Sequence, residues 1–341
     1  MIMQLALILI ILLFNFFLFS NNHFFAKKIN LYDLPNSKRK LHKFSIPLNG
    51  GVFYFLNILL IFIFDIFFND FKLVSIFNFT NEINILFTLV IMFSLLLLGI
   101  IDDKISLTPI SKSAISIIIF LSFFSFGADF KIIALRFETF NYEIDLLGFS
   151  LIFSILSFLT LQILLNMYDG INLQSGVYYS FILLNLILVN QNNNFSIFCF
   201  LTLIYLVFFL FYNYKEKMFL GDNGVYMFSF ILSLLLVVTY NKNYSIFFIE
   251  HVFIILFIPF IDMIRLFFKR LLQNNNPLIG DREHLHHNLL KKYGIIKSNI
   301  LLIFPITFST LTIHLTNLHS VFIIIVNIIL YLVLLNFKKN G

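Results

Sequence analysis

Long apolar runs recur along almost the whole chain, and their lengths constrain the fold more than any other feature of the sequence. A helix needs about 17–25 residues to cross a bilayer, whereas the strands of a transmembrane β-barrel alternate apolar and polar side chains. The runs are continuous, so the sequence predicts an all-α integral membrane protein with about 10–11 transmembrane helices. They lie near residues 2–20, 50–68, 83–101, 113–128, 149–167, 174–190, 195–212, 221–240, 246–267, 299–316 and 321–337.

The remaining sequence adds little that could form a separate soluble domain. Charged residues make up 12% of the chain, against about 25% in soluble domains, and we expect one polytopic domain over residues 1–341. The first run, residues 2–20, lacks a basic flank and a small-residue cleavage site, so we expect it to be retained. Residues 129–148 alternate more in polarity and predict a small hairpin or interfacial segment. The sole cysteine, Cys199, excludes an internal disulfide.

Lysine and arginine are distributed unevenly between the loops. Cytoplasmic loops carry the excess of these residues, and with the N-terminus outside all but four of the 23 fall on the cytoplasmic side. The net charge of +6 therefore reflects membrane orientation and requires no nucleic acid, and it favours anionic headgroups and phosphorylated ligands. The predicted cytoplasmic side comprises the loops 21–49, 102–112, 213–220 and 268–298, the tail after residue 337, and Arg265 near a helix end. The four exceptions are Lys72, Lys131, Arg136 and Lys242.

Five polar clusters fall on this predicted cytoplasmic side. An ionised side chain at bilayer depth costs several kcal/mol, so acids at helix ends indicate a function. Each cluster has a structural alternative when taken alone: a solvated loop start, an Asx turn or a plain turn. The five clusters are far apart in the sequence but fall on one face of the membrane. The structural alternatives would have to hold for each cluster independently, which weakens them. The clusters lie within residues 33–51, 99–112, 166–172, 219–224 and 281–287.

Other ionisable residues near helix ends have structural interpretations. Asp65 and Glu250 fall near the outer side, where we expect them to be solvated or paired. Asp262 precedes Arg265 by three residues, which predicts an ion pair on one helix face. The histidines of residues 284–287 have no cysteine near them and two are adjacent in the chain, so we do not expect a zinc site.

The side chains of the clusters suit phosphoryl transfer with a divalent metal ion. Carboxylate and amide oxygens are the ligands that Mg²⁺ and Mn²⁺ prefer, and glycines flank Asp222, where backbone can approach a phosphate. Nearby basic side chains would neutralise phosphate charge. An ion-coupled transporter is an alternative, but its acids would lie near the bilayer midplane. A basic membrane-anchored scaffold would leave the acids without a purpose.

Six motifs occur in one order between about residues 33 and 290. They are DLPNSKRKLH (33–42), IPLNGG (46–51), GIIDDK (99–104), NMYDGIN (166–172), FLGDNG (219–224) and DREHLHH (281–287). In this order and spacing they resemble the polyprenyl-phosphate N-acetylhexosamine-1-phosphate transferase family, most closely its undecaprenyl-phosphate N-acetylglucosamine branch.

The resemblance implies a reaction and a location. A UDP-activated N-acetylhexosamine would donate its sugar-1-phosphate to undecaprenyl phosphate and release UMP, with Mg²⁺ or alternatively Mn²⁺. The step would begin a cell-surface glycan such as an O-antigen or common antigen, at the cytoplasmic face of the bacterial inner membrane. A homodimer is expected by analogy with the family alone.

The resemblance also implies residue roles. Asp102 or Asp103 would deprotonate or orient the lipid phosphate. Asp222 would hold the metal ion with Asn166 as a second oxygen donor, and Asp169 would contact the nucleotide or support the metal site. The residues implied in binding the donor phosphates or sugar are Arg282, His284, His286 and His287, and those implied in binding the lipid phosphate are Lys112, Arg39, Lys40 and His42.

Two details bear on the branch of the family. The sequence His-Leu-His-His at residues 284–287 resembles the sugar-transferase branch, whereas three consecutive histidines are typical of phospho-N-acetylmuramoyl-pentapeptide transferase, which remains the alternative. Asn172 stands where the family usually has a second acid. We therefore expect Asn172 to contribute to substrate binding and to alter uracil or sugar selectivity.

Overall fold

The structure is a computed structural model that describes residues 2–35, 44–69, 72–77, 82–125, 130–190, 192–243, 247–276, 282–316 and 318–336. These residues form twelve α-helices and two small antiparallel sheets. The helices are α1 (Ile2–Ser20), α2 (Asn22–Ile29), α3 (Gly50–Phe68), α4 (Glu82–Ile105), α5 (Pro109–Ser125), α6 (Ser150–Tyr168), α7 (Gln174–Val189), α8 (Asn193–Tyr214), α9 (Gly221–Lys242), α10 (Ile249–Leu272), α11 (Leu285–Leu315) and α12 (Ser320–Asn336).

The predicted all-α membrane fold is confirmed. Each of the eleven apolar runs corresponds to a helix and extends at most three residues beyond either end of it, and α2 is the additional helix among the described residues. In the described part of the chain, eight helices are long and apolar enough to cross a membrane, and α5, α7 and α12 are shorter apolar helices. Which side of the membrane the connecting loops occupy remains a prediction.

Helix α9 forms the centre of the bundle. Its residues from Asn223 to Tyr240 are all buried, as expected for a helix that is apolar on every face. It packs most extensively against α4, α3 and α6. The beginning of α9 carries Asp222, so this central packing places the FLGDNG motif among the ends of the surrounding helices.

Small residues allow α3 and α4 to approach the beginning of α9. A Cβ atom added to Gly99 of α4 would collide with the backbone of Asn223, and one added to Gly51 of α3 would collide with Asn223 and Gly224. The amide of Gly51 also donates to the carbonyl of Leu220 over 3.3 Å. This close approach brings three of the sequence motifs together at one end of the bundle.

The two sheets lie at different places along the chain. Strands β1 (Tyr32–Asp33) and β2 (Ile46–Pro47) pair within the segment between α2 and α3. Strands β3 (Ala134–Phe137) and β4 (Tyr142–Asp145) form the hairpin predicted within residues 129–148. The amide of Arg136 donates to the Tyr240 hydroxyl over 2.7 Å, which attaches this hairpin to the end of α9 far from the FLGDNG motif.

The prediction of a loop over residues 268–298 is wrong for much of its length. Helix α10 continues to Leu272, and α11 begins at Leu285 and includes a break at Gly294, whose φ is 74°. The segment before the break is polar overall but buries Leu285 and Leu289 on one side. Because it is amphipathic, it lacks the long apolar run from which the other helices were predicted.

Candidate active site

Asp102 is buried at the end of α4 and already has a cationic partner. Its Oδ2 accepts from Lys112 Nζ of α5 over 3.0 Å and from the Tyr226 hydroxyl of α9 over 2.7 Å. Its Oδ1 accepts from the amide of Leu107 over 2.8 Å. The carboxylate therefore joins α4, α5 and α9, and it fixes the lysine expected to meet the lipid phosphate.

Asp103 caps the beginning of α9. It accepts from the amides of Asp222 and Asn223 over 2.8 and 3.2 Å, and from Asn223 Nδ2 over 2.5 Å. A carboxylate at this position satisfies helix amides that lack intrahelical partners. Gly221 has a φ of 73°, which favours glycine, and an added Cβ there would lie 2.8 Å from Asp103 Oδ2. Asp103 thus occupies the first amides of α9, beside the glycine-flanked Asp222 where the sequence suggested that backbone can approach a phosphate.

Asn166 and Asp169 lie at the end of α6. Asn166 Nδ2 donates to the Asp222 carboxylate, which links the NMYDGIN and FLGDNG motifs. Asp169 Oδ1 accepts from the Ser175 hydroxyl over 2.6 Å. Burial raises the pKa of Asp169 to about 6, the Ser175 hydrogen bond opposes this increase, and the nearby charge of Asp222 adds to it.

The histidine segment, residues 284–287, contacts the turn that contains Asp169. A Cβ added to Gly170 would collide with the ring of His286, so this ring lies directly against the turn. The His284 and His286 rings are stacked at 5.1 Å with an interplanar angle of 7°, and the His287 ring is 4.3 Å from that of His286. His286 is buried, and its Nε2 has no hydrogen-bond partner among the described residues.

The carboxylates form one electrostatically connected group. Asp222 interacts with Asp102 and Lys112, and both Asp103 and Asp169 interact with Asp222. Four carboxylates and one lysine leave an excess of negative charge, and a low local dielectric strengthens the resulting repulsion. A divalent cation would relieve this repulsion.

The donor set fits Mg²⁺ or Mn²⁺ at an open site. Across the residues for which the structure gives positions, no three His, Cys, Asp or Glu side chains are grouped so as to hold a metal ion. Mg²⁺ usually takes one or two protein carboxylates and completes its shell with water and phosphate oxygens. Asp222 can supply the carboxylate and Asn166 an amide oxygen, so substrate phosphates would have to provide further ligands.

The structure brings together most of the residues predicted for the site. The group contains Asp102, Asp103, Asn166, Asp169, Asp222, Lys112, His284, His286 and His287. Arg282 is half-buried just before the histidines, and the carbonyl of Asn172 accepts from Asn299 Nδ2 over 3.0 Å. Arg39, Lys40 and His42 lie outside the described residues.

Sequence reasoning missed three side chains that hold the carboxylates. They are Tyr226 on Asp102, Asn223 on Asp103 and Ser175 on Asp169. Tyr226 lies one helical turn after Asp222, and that spacing is the one signal that could have suggested it. The roles of the other two depend on turn geometry that the sequence pattern does not specify.

Two comparisons show which known proteins this chain is similar to. Residues 84–240 match the sequence model of glycosyl transferase family 4. A relative from Thermotoga maritima, undecaprenyl-phosphate alpha-N-acetylglucosaminyl 1-phosphate transferase, is 27% identical over 303 residues, which cover 87% of this chain and 86% of that protein. The eight apolar helices indicate a multi-pass membrane protein, and the family match and the relative both indicate a transferase. Over residues 84–240 the chain is similar to glycosyl transferase family 4, as the motifs had indicated.

Proposed function

We propose that this protein transfers N-acetylhexosamine-1-phosphate from a UDP-sugar to undecaprenyl phosphate. The observation that carries the proposal is the joining of Asp102, Asp103, Asn166, Asp169 and Asp222 at one end of the bundle. The Thermotoga maritima relative is named for the transfer of an N-acetylglucosaminyl 1-phosphate involving undecaprenyl phosphate, which supports the same lipid acceptor here.

The reaction exchanges one phosphoric anhydride bond for another. An oxygen of the lipid phosphate attacks the sugar-bound phosphorus of the UDP-sugar. The bond between that phosphorus and the oxygen bridging to the uridine-bound phosphate breaks, and UMP leaves with the electron pair. A phosphate monoester loses its second proton near pH 6, so placement of the lipid phosphate matters more than removal of its proton.

Lys112 and the aspartate pair would place the acceptor. Lys112 is half-buried and is held by Asp102, so its ammonium group is fixed where it can attract the lipid phosphate. Asp102 is 3% exposed and Asp103 is half-buried. Of the two carboxylates, Asp103 is therefore the one accessible to the nucleophile, while Asp102 acts through Lys112.

Mg²⁺ would be held by Asp222 and Asn166, and Mn²⁺ could replace it. When bound, the metal ion supplies positive charge that polarises the phosphates and stabilises charge developing on them. The protein's own contribution is to orient Asp222 through the hydrogen bond from Asn166 and through Asp103, which caps the helix that carries it.

The donor would lie toward the histidine segment. His286 lies against the Asp169–Gly170 turn, and its buried Nε2 has no partner among the described residues. A donor phosphate or sugar hydroxyl that reached this turn would supply that partner. Arg282, His284 and His287 surround that position in the sequence and would add charge or hydrogen bonds. Asn172 follows the same turn and would contact the uracil or the sugar.

The test is UMP release by purified protein with undecaprenyl phosphate, Mg²⁺ and a panel of UDP-sugars that includes UDP-N-acetylmuramoyl-pentapeptide. We expect turnover with a UDP-N-acetylhexosamine, and we expect Asp222→Asn to abolish it because the amide cannot replace a charged metal ligand. Asp145→Asn is the matched control, since Asp145 is exposed on β4. Absence of turnover with every UDP-N-acetylhexosamine would contradict the proposal, and turnover with the pentapeptide substrate alone would favour the peptidoglycan alternative.

A further inference from the structure

Asp262 is a buried aspartate of α10. It lies outside the acidic group, by which we mean Asp102, Asp103, Asp169 and Asp222. It is 4% exposed. Its Oδ2 accepts from His284 Nδ1 over 2.9 Å and from the amide of Leu285 over 3.2 Å. One carboxylate oxygen is therefore directed entirely at the first residues of the histidine segment.

The other oxygen of Asp262 binds a residue of its own helix and joins α10 to α12. Its Oδ1 accepts from Arg265 Nη2 over 2.7 Å and from the Tyr331 hydroxyl of α12 over 2.9 Å. Arg265 Nη2 also donates to the carbonyl of Glu283 over 3.0 Å, and Lys269 forms an ion pair with the Glu283 side chain. These contacts hold the beginning of α11 against α10. Both carboxylate oxygens of Asp262 have hydrogen-bond partners.

The contacts continue from Asp262 to the site. Its partner His284 is stacked on His286, and the His286 ring lies against Gly170 beside Asp169. Among the residues that the structure describes, Asp262 forms its hydrogen bonds and ion pairs with other partners than Asp102, Asp103, Asp169 and Asp222. The histidines therefore provide a path of direct contacts from Asp262 to that group.

We propose that Asp262 is a positioning residue for the transferase reaction and acts through His284. This inference rests on the proposed function. A carboxylate that accepts from Nδ1 keeps the proton on that nitrogen and fixes the ring orientation, as partners of functional histidines do. His284 then presents a defined Nε2 and supports the stacked His286 against the turn.

The first test compares Asp262→Asn with a matched buried aspartate. Removal of a partner that orients a functional side chain typically costs about 10–100-fold in activity, so we expect kcat for UMP release to fall by that factor while KM for undecaprenyl phosphate stays unchanged. Asp65→Asn is the control, because Asp65 is also buried and accepts from Asn69, Leu73 and Val74 far along the chain from the site. We expect Asp65→Asn to lower Tm and leave kcat unchanged.

A double variant separates positioning from simple attachment of helices. If Asp262 acts through His284, adding Asp262→Asn to His284→Ala should lower kcat no further than His284→Ala does alone. Losses that multiply in the double variant would overturn the proposal, as would an Asp262→Asn protein with wild-type kcat.

His284→Asn provides a test that does not depend on Asp262→Asn folding well. The asparagine amide can take the place of Nδ1 and donate to Asp262, but it lacks the Nε2 side of the ring. We expect kcat to fall about as in His284→Ala while Tm stays near the wild-type value, and retained activity would overturn the proposal. Wild-type turnover is required first: its absence contradicts the proposed function, whereas wild-type turnover with fully active variants contradicts this inference alone.

Discussion

Two adjacent aspartates at the end of one helix have different partners. Consecutive residues of an α-helix point about 100° apart, so Asp102 reaches Lys112 of α5 whereas Asp103 reaches the first amides of α9. The first carboxylate forms an ion pair and the second a helix cap. The pair therefore joins three helices before any substrate is bound.

Asp169 should make the stability of the protein depend on pH. Its pKa of about 6 exceeds the ordinary aspartate value of about 3.9. The folded state therefore binds this proton more tightly than the unfolded chain, and the stability gained at low pH is lost as pH rises from about 4 through 6. Asp169→Asn stays neutral and should keep the Ser175 hydrogen bond. We expect its Tm to exceed that of the wild type by an amount that grows between pH 4 and pH 8.

Thermal unfolding in detergent with EDTA measures this difference. Asp145→Asn is the control, because Asp145 is exposed on β4 and its replacement should leave the Tm difference from wild type nearly independent of pH. A Tm difference for Asp169→Asn that does not change with pH would show that burial does not perturb this carboxyl.

The sequence predicted which residue types form the site but not how they contact one another. Asp102, Asn166, Asp169 and Asp222 could be found because acids and amides at the ends of apolar runs are costly unless they have a function. The bond from Ser175 could not, since its position depends on the geometry of a turn, and the only signal for Tyr226 was its spacing of one helical turn from Asp222. Asp262 was predicted to pair with Arg265, which the structure confirms, but its bond to His284 depends on how α10 and α11 pack.

At the scale of helices, the contact between α4 and α9 should tolerate no added volume. The Cα of Gly99 lies so close to the backbone of Asn223 that a methyl group cannot fit. Overpacking costs about 1–3 kcal/mol, and the resulting shift would draw Asp103 away from the α9 amides. We expect Gly99→Ala to lower both Tm and UMP release.

Gly148 offers a control for the same chemical change. It lies in a short 3-10 helix before α6, and a Cβ added there meets nothing within 4 Å. We expect Gly148→Ala to change stability by less than about 0.5 kcal/mol and to retain full turnover. Wild-type Tm and turnover in Gly99→Ala would show that α4 can move without disturbing the site.

Helices that are apolar throughout were predictable, and amphipathic ones were not. Each of the eleven runs corresponds to a helix because a long continuous apolar segment is typical of a helix in a membrane protein. Helix α2 and the first part of α11 contain several polar residues, so no apolar run marks them. The histidines therefore lie on a helix packed against α10, where the sequence suggested a loop.

At the scale of the whole molecule, the bundle separates a polar site at one end from a hairpin at the other. Helix α9 begins beside Asp103 and ends beside β3, where Arg136 meets Tyr240. If α9 crosses the membrane, the acidic group and the β3–β4 hairpin must lie on opposite sides. The excess of Lys and Arg predicts that the acidic group lies on the cytoplasmic side.

Cysteine labelling tests this orientation directly. The native Cys199 is fully buried, so it should not react, and single cysteines can be introduced without removing it. Phe140 in the hairpin turn and Lys217 before α9 are both exposed. We expect a membrane-impermeant maleimide to label Phe140→Cys in intact cells and to label Lys217→Cys only after permeabilisation. The reverse pattern would place the acidic group outside, away from a cytoplasmic nucleotide donor, and would contradict the proposed function together with the orientation.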